Sequence, residues 1–486
     1  MAGKVQIAAS GFITEQLVGE PDFTYFNNFF PKHRHFAKET VKLKPDNEKD
    51  VQTGDHIEFT IPANSGDILN RLSISFSIPE NLSEYNTSTE GNLLVDQFGI
   101  SIFEYIDLYI GDQLLDRITS DDINIYNVTR APSTYASTND CIQGVKLNHG
   151  LSYWVNGQSM RTNEFKHSGG SYTLNTVFNN YIVDLPFYFH DRPKHGFPLC
   201  SIQFQELKIR VKLRHGREVI FPLRSVGSGQ FDDWSYQNDH KTENIPLSNF
   251  KLNMDVIHLD TSERVKLRSM CKNILIEQNQ HNTFTMERGI KSQSYRLDLK
   301  NCVKELYFIA KKKPKVLTSG EITILNTIAG SDITSYGSSA LDEIFVGTKI
   351  LQKPVPCIYM RQKHVTLTCD GIPILDETTG SHQFLSACIP NVYHKQTPIE
   401  NNLTMYSFAL RPDNMEPSGD LNFTMIKDAT IQMTLSSDGS YGLYSLYNEL
   451  LTTSSSHIVH VEKDIHIIAK SYNILRIRDG VGEILF

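Results

Sequence analysis

The chain has no long apolar run, little tryptophan and no excess of basic residues. Nowhere among its 486 residues do about 18 apolar residues follow one another, so no membrane-spanning helix is expected. Its first residues, MAGKVQIAASGFITEQ, lack the apolar segment of a signal peptide, so export by that route is not expected. The 47 basic and 55 acidic residues give a net charge of −8, whereas a protein that coats nucleic acid needs a basic face. We therefore predict no direct binding of nucleic acid.

The sequence also lacks the motifs of common catalytic and cofactor-binding sites. It contains no G-x-S-x-G, no P-loop, no G-x-G-x-x-G after a strand and no H-E-x-x-H. The seven cysteines are odd in number, scattered and without a C-x-x-C pair, which predicts reduced thiols in a cytosolic compartment. The pair His33 and His35 is too sparse for a metal site. We predict no catalytic residue, no cofactor and no metal, and hence no enzyme.

What the sequence does contain is a repeated turn that leads into an alternating strand. Residues 189–208, FHDRPKHGFPLCSIQFQELK, match residues 408–427, FALRPDNMEPSGDLNFTMIK, without a gap at an offset of 408 − 189 = 219. Apolar residues alternate after both copies, over 209–213 and over 431–435, as in strands with one buried face. The repeat predicts one all-β domain that is used twice.

Proline and glycine direct the chain through these turns, because proline fixes the backbone angle φ and glycine permits a positive one. We predict that both copies form structural turns at equivalent corners of their domains. The predicted turn residues are Phe189, Arg192, Pro193, Pro198 and Phe204 in the first copy, and Phe408, Arg411, Pro412, Pro417, Ser418, Gly419 and Phe423 in the second.

Further strands and one helix follow from the same reading. Strands are predicted within 55–79, 104–116, 250–260, 365–376 and 464–477, with hairpin turns at 111–112 and 370–371. A helix is predicted at 261–278, because Thr261 or Ser262 can cap its first turn and Val265, Met270 and Ile274 suggest one apolar side.

Two loop insertions are predicted, at about 130–180, where residues 156–180 are polar and rich in Gly, Ser and Asn, and at about 311–356, where the second half has extra residues between two segments. The KKKPK segment that opens the second insertion is interpreted as a solvated loop edge. The chain therefore divides into an N-terminal arm (1–28), a first β-domain (29–260), a linker helix (261–278) and a second β-domain (279–486).

Several of these segments resemble blocks of a known family, the double jelly-roll major capsid proteins of large eukaryotic double-stranded DNA viruses, of the iridovirus and phycodnavirus kind. The similarity is most specific at 408–426, where FAL, a proline, PSG and NF follow one another. Further similar blocks are 29–37, 185–189, 206–209, 259–264, 275–278 and 472–477. In the first of these, Arg34 and His35 replace the Thr-Asn of the family.

The resemblance implies an all-β fold of two consecutive eight-stranded jelly-roll β-sandwiches with a short linker helix. It further implies a homotrimer, pseudo-hexagonal in outline, that tiles an icosahedral shell. The expected partners are neighbouring capsomers, minor capsid and penton proteins, and possible internal viral membrane proteins. The expected location is the virion capsid, assembled in the host cytoplasm, with residues of roughly 150–180 forming a loop that faces outward.

Three alternatives stay open at this stage. A minor, penton or spike jelly-roll protein has the same fold, as do carbohydrate-binding proteins and amidases that act on glycans. Two tryptophans are few for sugar binding, and Asp232-Asp233 beside Trp234 is only weakly suggestive of a sugar-cleaving site. A glycan array or a hydrolase screen would separate these functions from that of a shell subunit.

Overall fold

The computed structural model describes most of the chain. The described residues are 5, 8–9, 11–13, 15, 32–47, 50–63, 65–78, 90–94, 98–130, 165–168, 171–174, 180–225, 234–236, 245–269, 272–287, 290–312, 359–360, 362–397, 403–435 and 463–486. The chain divides into two compact units, Met1–Phe36 and Ala37–Phe486. The second unit holds both β-sandwiches, which are described below.

The strands alternate with short connections through both halves of the chain. The first half contains β1 (Phe36–Leu43), β2 (Val51–Gln52), β3 (His56–Ile61), β4 (Ile68–Ser77), β5 (Glu90–Leu94), β6 (Phe103–Ile110), β7 (Gln113–Thr119), β8 (Phe165–Ser168), β9 (Ser171–Leu174), β10 (Asn180–Asp184), β11 (Leu207–Leu213), β12 (Ile220–Ser225), β13 (Trp234–Tyr236) and β14 (Pro246–Leu259). The second half contains β15 (Lys272–Met286), β16 (Ser292–Arg296), β17 (Cys302–Lys312), β18 (Gln362–Cys369), β19 (Ile372–Leu375), β20 (Thr404–Ser407), β21 (Leu421–Asn422), β22 (Ala429–Leu435), β23 (Lys463–Arg478) and β24 (Val481–Ile484).

Helices in the described residues are short. The α-helices are Phe98–Ser101, Ser120–Thr129, Gly216–Val219, Thr261–Ser269 and Ile389–Tyr393. Single turns of 3-10 helix span Pro193–His195, Leu199–Ser201 and Phe423–Met425, and a π-helical turn spans Phe384–Cys388. No helix in the described part of the chain is long and apolar enough to cross a membrane.

The two halves share one strand order. The first sandwich consists of the sheets β1-β14-β4-β10 and β3-β11-β6-β7, and the second of β15-β23-β17-β20 and β16-β22-β18-β19. The neighbours from β14 to β10 and those in the other three sheets are antiparallel. Read along the chain, each sandwich uses its eight strands in the same sequence of positions. The prediction of two consecutive eight-stranded jelly rolls is confirmed.

The predicted hairpins and alternating strands lie where the sequence places them. In β11 and β22 every second residue is buried, because one face of each strand packs on a core and the other faces outward. The hairpin β18–β19 turns through Asp370 and Gly371, with φ angles of 48° and 80°. Such positive angles are what a two-residue hairpin turn requires.

The linker helix is shorter than predicted. It ends at Ser269, and residues 272–278 belong to β15, where Ile274, Leu275 and Ile276 pair with β23. The β-branched residues Ile274 and Ile276 favour the extended backbone when a partner strand is available. Val265, assigned to an apolar helix side, is 58% exposed. The other predicted domain boundaries stay predictions.

The insertions of the first sandwich leave it at one end. Ser77 at the end of β4 pairs with Asn180 at the start of β10 and with Ser248 near the start of β14. The connections that carry β5, β8–β9 and β12–β13 therefore all open at this end, and β12 pairs with both β5 and β13. The rest of the predicted loops 130–180 and 311–356 lies outside the described residues, apart from the buried Arg130 and from Lys311 and Lys312 at the end of β17.

The two copies of the repeat join equivalent strands, since 189–206 connects β10 to β11 and 408–428 connects β20 to β22. Their offset changes, however, within the connection. The matching burial patterns of β11 and β22 begin at Leu207 and Ala429, which are 429 − 207 = 222 residues apart rather than 219. The second copy therefore has three more residues before its strand.

Gly419 in the second copy has a φ of 136°, and a Cβ added there would lie 2.7 Å from the Phe408 carbonyl oxygen. A Gly419→Val variant is therefore expected to lose roughly 1–3 kcal/mol of the free energy of unfolding, measured by urea denaturation. Gly371→Val is the control, because Gly371 also has a positive φ but nothing lies within 4 Å of its added Cβ. Equal losses in both variants would show that the close approach to Phe408 has no effect.

Candidate functional site at the junction of the two sandwiches

The sheet β15-β23-β17-β20 is covered on both faces. In β17 nearly every residue is buried, and residues 467–473 of β23 are buried without alternation. One face packs on the core of the second sandwich, through Leu306, Phe308 and Ala310. The other face is covered by the first sandwich, and it carries charged side chains as well as apolar ones.

The apolar part of this junction is formed around one helix of the first sandwich. Ile125, in the Ser120–Thr129 helix, belongs to a buried cluster with Tyr307, Ile309 and Ile468 of the second sandwich. The N-cap of this helix is Thr119, whose hydroxyl accepts from the Asp122 amide while the Asp122 carboxylate accepts from the Thr119 amide. This capping box places the helix start against β7.

A β-bulge brings two adjacent charged residues to the junction. The pairing of β17 with β23 shifts register between Val303 and Glu305, which leaves Lys304 as the extra residue. A bulge redirects the side chain of the extra residue. Lys304 is fully buried, its ammonium group pairs with the Glu277 carboxylate, and it donates to the Pro412 carbonyl at 2.8 Å.

Arg130, directly after the helix of the first sandwich, lies among three carboxylates of the second. It pairs with Glu305, its Nε lies 3.4 Å from an Asp413 oxygen, and its Nη1 lies 3.8 Å from Glu277. Burial lowers the pKa of Arg130, but the attraction of Glu305 and the other carboxylates outweighs burial and raises it. Burial by itself raises the pKa of the Glu277 carboxyl. The nearby cations Lys304, Arg192 and Arg130 outweigh this effect of burial and hold the pKa at about 2.

The two repeated turns meet at this cluster. Arg192 of the first turn donates to the Asp413 carbonyl of the second at 2.9 Å and lies 3.2 Å from a Glu277 oxygen. His394 lies between Glu305 at 3.1 Å and Asp413 at 2.8 Å. Burial lowers the pKa of His394, but Glu305 and Asp413 raise it above its usual value. We call Arg130, Arg192, Glu277, Lys304, Glu305, His394, Asp413 and Lys470 the junction cluster.

A second group of ion pairs holds the start of the helix. Lys311 at the end of β17 lies 2.5 Å from an Asp121 oxygen, and His281 of β15 lies 2.8 Å from an Asp122 oxygen. The Tyr359 hydroxyl also donates to Asp121 at 3.0 Å. Carboxylates in the first turn are favoured by the helix dipole, so these aspartates stabilise the helix as well as the junction.

The arrangement joins two domains rather than performing chemistry. Its charged groups are buried and bond to one another, and buried pairs of this kind are strongly destabilised when one partner is removed. Among the described residues, no group of three or more His, Cys, Asp or Glu side chains is placed to hold a metal ion. The four cysteines in this part of the chain, Cys200, Cys302, Cys369 and Cys388, are free.

Two sequence profiles match successive parts of the chain. Residues 24–260 match the family described as "Major capsid protein N-terminus", and residues 263–483 match "Large eukaryotic DNA virus major capsid protein". The chain belongs to the major capsid proteins of large eukaryotic DNA viruses. This capsid protein is a structural subunit and not an enzyme, it is a component of the virion, and it assembles with other capsomers into a shell.

Relatives and solved structures agree along the whole length. The capsid protein is 22% identical to the major capsid protein of Phaeocystis pouchetii virus, over 100% of this chain and 99% of the relative. It is 24% identical to that of Paramecium bursaria Chlorella virus 1, over 100% of both. It matches a chain of the PBCV-1 capsid with a TM-score of 0.63 at 17% identity, covering 95% of this chain and 100% of that one. The Faustovirus major capsid protein matches with a TM-score of 0.60 at 12% identity, covering 96% and 94%. At these identities the structures show a shared fold.

The predicted turn residues of the capsid protein differ in environment between the copies. Arg192 reaches the junction cluster, whereas its counterpart Arg411 is exposed; Pro412 is buried, whereas Pro193 is exposed. Phe204 is 76% exposed, whereas Phe423 is 3% exposed. The remaining residues are buried (Phe189, Pro198), half-buried (Phe408, Ser418) or exposed (Pro417, Gly419). Their common role as structural turns stays a prediction.

Sequence reasoning missed the junction cluster, although a signal for it was present. Lys304-Glu305 and Lys470 interrupt strands that are apolar on both faces, and charges at such positions need buried partners. Lys311 was assigned to a solvated loop edge, but it is 9% exposed and pairs with Asp121. That assignment was wrong because β17 extends to Lys312 and the first sandwich covers its end.

Proposed function

We propose that the capsid protein forms a homotrimer in which six sandwiches make a closed, pseudo-hexagonal ring. The observation that supports this is the junction within one chain. The helix side of the first sandwich lies on the outer face of the sheet β15-β23-β17-β20, so the contact joins two unlike surfaces. A contact between unlike surfaces can be repeated from copy to copy, and it closes into a ring when the rotation permits.

Each chain also carries a second example of each of these two surfaces, and these second examples are available for a contact with a neighbouring copy of the chain. The outer face of β4 and β10, which corresponds to that of β17 and β20, carries the half-buried Arg71, Ser73 and Ser75 and the 43% exposed Ile182. The counterpart of the Ser120–Thr129 helix is the segment Phe384–Tyr393, in which Val392 is 71% exposed. In the proposed ring, this segment of one copy faces the outer sheet of the next copy's first sandwich.

Light scattering on the purified protein is expected to give three times 55.3 kDa. Ile182→Arg should shift the protein to a monomer with an unchanged circular dichroism spectrum, because a charge would be buried against the next copy. Ile372→Arg is the matched control, since Ile372 is 69% exposed in a hairpin of the second sandwich, and it should stay trimeric. A folded wild-type monomer at micromolar concentration would contradict the trimer, and a trimeric Ile182→Arg would place the contact elsewhere.

We also propose how the trimer sits in the shell. The connections that carry β5, β8–β9 and β12–β13 open at one end of the first sandwich, and in a shell of upright sandwiches the outer end has room for them. We place this end outward, so that the opposite end of the sandwiches faces minor capsid and penton proteins and an internal viral membrane. Assembly in the host cytoplasm agrees with the free cysteines of the described residues.

A further inference from the structure

The side chain of His394 has no exposed surface and lies in the junction cluster, where separate parts of the chain meet. The backbone of His394 ends the Ile389–Tyr393 helix, because its amide donates to the Pro390 carbonyl at 2.8 Å. Two residues later, the Gln396 amide donates to the Thr129 carbonyl of the first sandwich at 3.2 Å. The charge of this histidine therefore acts where the second sandwich is attached to the first.

Each ring nitrogen of His394 faces a carboxylate. The Nδ1 atom lies 2.8 Å from the Asp413 Oδ1 atom, and the Nε2 atom lies 3.1 Å from the Glu305 Oε1 atom. Neither this Nε2 nor this Oε1 has another hydrogen-bond partner within the described residues. A neutral imidazole ring carries one N–H group, whereas two carboxylates on its two nitrogens require two. The arrangement is therefore complete only when the ring carries both protons and a positive charge.

Arg130 of the first sandwich faces the same two carboxylates. It pairs with the Oε2 atom of Glu305, and its Nε lies 3.4 Å from the Asp413 Oδ1 atom. The four charged groups therefore alternate in sign, and each carboxylate lies between two cations. The other titratable groups around these carboxylates are the Tyr307 hydroxyl, which donates to Glu305 at 2.9 Å, the ammonium groups of Lys304 and Lys470, and the Glu277 carboxylate.

Loss of one proton from His394 disrupts this alternation. One ring nitrogen then presents a lone pair to a carboxylate oxygen, and the attraction between the ring and both carboxylates is lost. Burial lowers the pKa of His394 and Arg130 opposes its charge, but Glu305 and Asp413 outweigh both and raise the pKa. A histidine with a raised pKa stabilises the folded state at low pH, and this contribution disappears as the pH rises through the folded-state value.

We propose that His394 is a proton-dependent switch of the contact between the two sandwiches. With two protons it holds the turn that carries Asp413 and the end of the Ile389–Tyr393 helix against Arg130, and with one proton it releases them at alkaline pH. His281 differs from it, because the described contact of its ring is with a single carboxylate, Asp122 at 2.8 Å, for which one N–H group suffices. This inference concerns one chain and does not depend on the proposed trimer.

Hydrogen–deuterium exchange of the unmodified full-length protein, followed by mass spectrometry over a series of pH values, tests the switch. Exchange of the imidazole C2 hydrogen reports the titration of His394, and its midpoint is expected above about 6.5, the ordinary pKa of a histidine. Above this midpoint the backbone amides of residues 389–397 should exchange faster, after correction for the intrinsic effect of pH. A midpoint at or below about 6.5, or amide exchange that does not follow the midpoint, would overturn the proposal.

The same measurement on Asp413→Asn shows whether the carboxylates set the charge of the ring. The midpoint of His394 should fall in this variant, because one of the two carboxylates that favour the imidazolium form is removed. A role of Asp413 in the shape of the turn alone would leave the midpoint where it is, and that result would contradict the switch.

Urea denaturation of His394→Gln separates this histidine from other groups that titrate near neutral pH. The unfolding constant of the wild type, divided by that of the variant, should rise about ten-fold or more from pH 6 to pH 9, because charged contacts with two carboxylates are lost. His258→Gln is the matched control, since His258 lies 3.0 Å from Glu39 in an exposed ion pair, and its ratio should change less than about two-fold. A flat ratio for both variants would overturn the proposal and assign His394 as a neutral residue.

Discussion

A Glu277→Gln variant is expected to lose about 3–5 kcal/mol of the free energy of unfolding, because it leaves buried cations without their carboxylate. Glu277 is 7% exposed and lies within ion-pair distance of Lys304, Arg192 and Arg130. Glutamine keeps the shape of the side chain but not its charge, so the loss reports the electrostatic part of the junction. Urea denaturation followed by tryptophan fluorescence and by circular dichroism measures it.

Glu58→Gln is the matched control for this change. Glu58 also lies between two cations, Lys208 at 3.4 Å and Arg210 at 2.9 Å, but on an exposed sheet face. Exposed ion pairs are screened by water and salt, so at most about 1 kcal/mol should be lost. Similar losses in the two variants would show that burial does not strengthen the junction cluster, and the junction would then depend on its apolar contacts alone.

A Phe423→Ala variant is expected to lose about 3–5 kcal/mol of the free energy of unfolding, since it removes a large side chain from the core of the second sandwich. Phe423 is 3% exposed and its ring lies 6.2 Å from that of Phe408. The surrounding strands cannot close the resulting space fully, which adds the cost of a cavity to the lost burial.

The repeat itself provides the control. Phe204 matches Phe423 in the sequence alignment, yet it is 76% exposed, so Phe204→Ala should change the free energy of unfolding by no more than about 0.5 kcal/mol. Both variants can be measured by urea denaturation under one set of conditions. If Phe204→Ala proved as costly as Phe423→Ala, Phe204 would have to be buried in the protein in solution, for example between copies of the chain.

Antiparallel strands with a single buried face could be predicted from the sequence alone. In β3, β11 and β22 apolar residues alternate with polar ones, because the side chains of a strand point alternately to the core and to water. The turns at Gly111 and at Asp370-Gly371 could also be predicted from the sequence, because few residue types accept the positive φ that these turns require. The duplication followed from matched residues, and with it came the tandem of two sandwiches.

The junction between the sandwiches was decided only by the tertiary structure. Lys304, Glu305 and Lys470 lie in strands whose second face is covered by the other half of the chain, and Arg130 meets Glu305 across 175 residues of sequence. Local alternation cannot report such a partner, because it records which side chains are apolar and not what covers the polar ones.

The same distinction separates the identical residues Phe204 and Phe423, one exposed and one buried. The tertiary structure also decided where the linker helix ends. It ends at Ser269, because the residues of β15 that follow pair with β23. The sequence by itself determined the strands and their repetition, since these depend on neighbours along the chain. The tertiary structure decided which faces of those strands are covered twice, since that depends on residues far away in the sequence.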